Sequence, residues 1–73
     1  MSRFIKLTKI DKLHSILINI DTIVDVEDFG DYCEVSYKQV DHLVAVDVIE
    51  QLDTIYKMIE TIEFLNDKKP LLS

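Results

Sequence analysis

Carboxylates, two histidines and one cysteine are the residues of this chain able to do chemistry, and their spacing limits what they could do. Glu27, Asp28, Asp31 and Glu34 flank Gly30, the only glycine, where a hairpin would gather them. Carboxylates so gathered could hold a divalent cation or act as the acid and base of a metal-dependent enzyme. A calcium loop requires oxygen ligands at alternate positions, a glycine at a set place and a closing bidentate Glu, and that spacing does not occur. Acid–base work needs a cleft, for which a small sheet under one helix has little room. Solvated turn charges are the simpler reading. His14, Cys33 and His42 are too scattered for a structural zinc site, and both histidines fall near turns, where an exposed imidazole needs no special role. Cys33 alternates with Val35 and Tyr37 and has no nominated base, so it reads as a small core group. The lone glycine excludes a phosphate-cradling loop. The expectation is no enzyme, no metal and no cofactor.

Charge narrows the partners. Lys plus Arg number 8 against 14 Asp plus Glu, a net −6. Arg3, Lys6, Lys9 and Lys12 face only Asp11 among residues 1–20, whereas residues 21–56 hold ten carboxylates against Lys38 alone. Tyr32 and Tyr37 could stack on bases, but the net charge opposes the phosphate contacts that dominate nucleic-acid affinity. Direct nucleic-acid binding is therefore not expected. Asp25, Glu27, Asp28, Asp31 and Glu34 form the candidate face for a partner protein.

These residues need elements to position them. With 73 residues, 48% apolar and 30% charged, the chain is expected to form one domain over residues 1–73. Such a chain buries only about 60–65% of its unfolded surface, and its core rarely supplies more than about 3–5 kcal/mol. With a single cysteine, a partner subunit is the remaining stabilising device. Period-two alternation marks strands at Phe4–Thr8, Ser15–Ile20, Thr22–Phe29, Tyr32–Tyr37 and His42–Val46, with Val24 and Val26 opposite Asp25 and Glu27. Asn19-Ile20-Asp21-Thr22 predicts a turn or bulge, and Phe29-Gly30-Asp31 the clearest hairpin. The period then changes to 3.6. Asp47 as N-cap, with Glu50 closing a capping box, predicts a helix from about Val48 to about Leu65, followed by a short tail over residues 66–73. The predicted fold is α+β: an antiparallel four- to five-stranded meander over about residues 4–46 and one C-terminal helix on one face.

Val48, Leu52, Ile55, Ile59 and Ile62 recur at helical spacing and can cover the sheet. Ile49, Tyr56, Ile62, Phe64 and Leu65 make the apolar arc wider and longer than one small sheet face requires, and are the self-association candidates. The start, Met1-Ser2-Arg3, leads into no apolar block, and no run approaches the ~20 residues that span a bilayer. A soluble cytoplasmic protein without membrane contact is expected.

Three segments carry a resemblance: Phe4-Ile5-Lys6-Leu7-Thr8, then Ile16-Leu17-Ile18-Asn19 with Ile23, then Val44-Ala45-Val46 leading into Asp47-Val48-Ile49-Glu50. Over roughly residues 4–62 the chain resembles the small flagellar FlbD/SwrD-like family, whose short relatives also occur in phages and mobile elements of bacteria. The resemblance implies a non-enzymatic accessory protein with no catalytic residue to carry over. The combined expectation is an oligomeric interaction module, bacterial or phage-encoded, that regulates or inhibits a host protein. Two other expectations are a motility accessory regulator, and a protein sequestering a nucleotide-like ligand at a subunit junction built from Tyr32, Tyr37 or Tyr56.

Overall fold

A computed structural model describes residues 3–68 of the chain, with side chains through residue 65. Five strands precede one helix: β1 (Phe4–Thr8), β2 (Ser15–Asn19), β3 (Ile23–Asp28), β4 (Cys33–Gln39), β5 (His42–Val48) and α1 (Leu52–Lys68). This is an α+β fold with antiparallel pairing throughout. The strands form two sheets, β1-β2 and β3-β4-β5, rather than one continuous meander. The break falls at Ile20–Thr22, a single 3-10 turn that the Asn19 side chain caps by accepting from the Asp21 amide. A corner of backbone joins the sheets again. Lys9 bridges Val48, the Ile10 amide donates to the Asp47 carbonyl, and the Ile49 amide donates to Thr8.

The period-two pattern sorts side chains as expected. Ile5 and Leu7 of β1, Ile18 of β2, Cys33 and Val35 of β4, Val48 of β5 and Ile55 of α1 form the buried core with Ile20. Val24 departs from the expected alternation and is exposed. A register shift between Ile23 and Asp25 inserts one extra residue, so Ile23 opposite Tyr37 and Val26 opposite Val35 take the paired positions instead. At the Gly30 hairpin, the Asp28 carboxylate accepts from the Gly30 amide, and Gly30 holds φ at +95°, which a side chain would resist. Phe29 and Tyr32 stack across the turn with ring centroids 5.2 Å apart.

The helix boundary differs from expectation. Asp47 and Val48 belong to β5, opposite Glu34 and Cys33, and α1 starts four residues later than the capping box predicted. Val48 gains full burial and a bridge to Lys9 by staying extended. Tertiary pairing outweighs the local cap signal, which is worth only about 1 kcal/mol. The Gln51 carbonyl accepts the first helical bond from Ile55. At its other end α1 continues to Lys68, so residues 66–68 of the predicted tail are helical, and residues 69–73 lie outside the described residues. The helix spans about 25 Å at 1.5 Å per residue. Burial declines along it, from Ile55 in the core through half-buried Met58, Ile59 and Ile62 to exposed Glu63, Phe64 and Leu65.

Candidate functional site

Register decides where the carboxylates meet. On the outer face of the three-stranded sheet, Glu27 stands opposite Glu34, and Glu34 stands opposite Asp47, which makes one acidic rung across β3, β4 and β5. Asp25 lies two positions along β3, opposite Ser36. Lys38, opposite Leu43, is the one cation on this face of β4. Like charges directly across a strand pair oppose folding by a few tenths of a kcal/mol per pair, so the rung persists at the expense of stability. Asp28 and Asp31 sit at the Gly30 turn instead, where Asp28 is engaged with the backbone. Three of the five expected partner-face residues thus share the sheet face, two belong to the turn, and Asp47 joins the face. No group of three or more His, Cys, Asp or Glu among the described residues is arranged to hold a metal ion.

The self-association candidates occupy the helix and its approach. Tyr56 is 61% exposed, Phe64 59%, Leu65 43% and Ile49 37%, whereas Ile62 is half-buried against the core. Phe64 follows Ile55 by nine residues, half a turn out of phase, so it faces away from the sheets. The three tyrosines do not converge. Tyr32 stacks on Phe29, Tyr37 packs on the core and Tyr56 stands on the outer helix surface.

Sequence reasoning passed over a second feature, an open groove of about 580 Å³ between β1 and α1. Phe4, Ile5 and Lys6 form one wall, while Thr54, Lys57, Met58, Thr61 and Ile62 form the other. Both ends are pinned. At one end the Glu50 carboxylate accepts from the Thr8 amide and from the Thr8 hydroxyl, each at 2.9 Å. At the other, the Arg3 guanidinium grips Asp21 through Nε and Nη2, and Nη2 also donates to Glu63 of α1 at 2.7 Å. That fork holds the Asp21 carboxyl below the usual carboxylate range, chiefly through its hydrogen bonds. Glu50 was expected in a helix cap, and β1 recruits it because α1 starts later. The basic first strand was visible in the sequence, but its juxtaposition with Lys57 was not.

Cys33 is buried, and that burial, reinforced by the Asp28 charge, pushes its thiol upward in pKa, away from the thiolate that attacks electrophiles. His14 is exposed and meets the Asp11 carboxylate at 2.6 Å. Hydrogen bonds from His14 and from the Leu13 amide draw Asp11 down to about 2. His42, opposite Gln39 at the β4–β5 turn, is exposed as well. No described helix is long and apolar enough to cross a membrane. No protein-family model, curated protein or solved structure matches this chain.

Proposed function

We propose that this chain is a small non-enzymatic interaction module that self-associates and offers its acidic sheet face to a protein partner, as a bacterial or phage-encoded regulator or inhibitor. The observation that carries this reading is the apolar surface toward the end of α1, where Phe64 and Leu65 are exposed while Ile55 on the same helix is buried. Tyr56 and Ile49 extend the apolar surface toward the start of the helix. Apolar area of this kind supports a protein contact, and a two-fold self-contact is the commonest form. The rung of Glu27, Glu34 and Asp47 supports the second half of the reading, because a repulsive arrangement is kept where an oppositely charged surface relieves it. A motility accessory regulator is the alternative form of this reading, and the flagellar-family resemblance is its ground.

Light scattering at micromolar concentration tests the self-contact. The expected mass is at least twice the 8.5 kDa of one chain, and Tyr56→Glu with Phe64→Glu should return it to one chain without changing the far-UV circular dichroism. A single-chain mass at every concentration refutes self-association. Reversal of Asp25, Glu27 and Glu34 to lysine, leaving the turn residue Asp28 intact, should abolish partner capture while the fold persists. Unchanged capture moves the partner surface elsewhere.

A further inference from the structure

We infer that the outer edge of β2 recognises β2 of a second copy, the two strands pairing antiparallel about a two-fold axis at Leu17. The inference goes beyond the helix contact proposed above and neither needs it nor replaces it. Backbone alternation carries it. Ile20 donates to the Arg3 carbonyl and Lys9 donates to the His14 carbonyl, so the even-numbered residues of β2 bond toward β1. By the two-residue alternation of an antiparallel pair, the amides and carbonyls of Ser15, Leu17 and Asn19 point away from β1. Among the described residues no strand pairs with β2 on that side, and no turn or cap bond reaches the Ser15 or Leu17 backbone. The Asn19 carbonyl takes the Thr22 hydroxyl, which leaves its amide as the free group there. Ser15 is exposed, and Leu17 is 64% exposed.

Edges of this kind are normally guarded. β3, at the edge of the three-stranded sheet, carries Asp25, Glu27 and Asp28 and a register shift, devices that keep an edge from pairing. β2 carries no charge anywhere in Ser15-Ile16-Leu17-Ile18-Asn19. The order of those residues names the occupant. Reversed about Leu17, the segment sets Leu17 on Leu17, Ile16 on Ile18 and Ser15 on Asn19, apolar on apolar and polar on polar. Outward residues then meet only outward residues. Two main-chain bonds join the Leu17 residues and two more run from the Asn19 amides to the Ser15 carbonyls, none of them using the Asn19 carbonyl. Charge agrees with this placement. It runs the β1–β2 turn of one copy, with Lys9 and Lys12 against Asp11, toward the Ile20–Thr22 turn of the other, where Asp21 and Glu63 share Arg3. The two Lys6 side chains, each on a β1, stand three strand spacings apart, about 14 Å, beyond a physiological Debye length. A five-residue strip buries much less than the ~1,600 Å² of a standard interface, so in single chains the contact forms only well above the micromolar range.

Hydrogen exchange of the full chain, followed by NMR from about 10 μM to about 1 mM, tests the edge without any variant. The Ser15, Leu17 and Asn19 amides should gain protection as concentration rises, while Ile16 and Ile18, on the β1 side of the ladder, should change little. Leu17→Lys, at an exposed position, should weaken pairing roughly tenfold by setting two ammonium groups face to face. Sedimentation velocity of Tyr56→Glu with Phe64→Glu, which isolates the strand contact, should show single chains at micromolar concentration and pairs toward ~1 mM, and adding Leu17→Lys should remove the pairs. Register has its own readout. Leu17→Cys should cross-link to itself on oxidation and Ser15→Cys should not, because only position 17 meets its own copy, at about 5.5 Å between Cα atoms. The proposal is overturned if protection does not depend on concentration, if Leu17→Lys has no effect, or if Ser15→Cys cross-links as readily. It is also overturned if the three amides are already protected in single chains, which makes another part of the same chain their cover. Loss of strand pairing with the micromolar dimer intact removes this edge alone. Loss of the micromolar dimer with pairing near ~1 mM intact removes the helix contact alone.

Discussion

Replacing Ile55 by Ala should destabilise the protein by about 2–4 kcal/mol, a large share of what a core this small provides. Ile55 is 1% exposed and, among the described residues, is the single α1 side chain in the fully buried core, so the attachment of the helix to the sheets converges on it. The change deletes three carbons, worth about 0.8 kcal/mol each in transfer from water, and leaves a cavity that adds to the loss. Alanine's better helix propensity returns only about 0.4 kcal/mol. Urea unfolding followed by helical circular dichroism at one fixed protein concentration measures the effect, since self-association would otherwise shift the midpoint. Glu60→Gln, an exposed α1 residue outside the proposed contact surfaces, is the internal control, and its cost should stay within about 0.5 kcal/mol. An Ile55→Ala midpoint within error of the parent, or a larger loss from Glu60→Gln, would refute the packing argument and show that α1 is held by other contacts.

Three other outcomes are expected. Val40→Gly should raise stability by about 1 kcal/mol in the same urea assay, because Val40 holds φ at +57° in the β4–β5 turn while its side chain is 87% exposed. Glu50→Ala should cost about 2–3 kcal/mol by urea titration, because it strips the Thr8 amide and hydroxyl of a charged acceptor, and it should accelerate amide exchange at Thr8. Asp11 supplies a pH signature. Its carboxyl is drawn from the ordinary 3.8 down to about 2, so its contribution is complete above the ordinary value and fades as pH falls from about 3.8 to about 2. Asp11→Asn should flatten the loss of thermal midpoint across that window, and an unchanged acid slope would show that the His14 contact is not formed.

Local pattern alone determined four to five strands, their inward and outward faces except at the Val24 bulge, and the single helix, because alternation and the 3.6-residue stripe are written in neighbouring residues. Gly30 and Asn19 marked their turns for the same reason, each acting on backbone within two residues of itself. Only tertiary structure decided where β5 ends. Asp47-Val48-Ile49-Glu50 satisfies a helix cap and a strand end equally well in isolation, and the bridge from Val48 to Lys9, thirty-nine residues away, settles the choice. The acidic rung of Glu27, Glu34 and Asp47 is likewise a product of register, which local spacing does not encode. So is the groove. Lys6 and Lys57 line it from two elements because long-range bonds tie Glu63 of α1 to Arg3 and Glu50, just before α1, to Thr8, and such pairings belong to the folded chain as a whole.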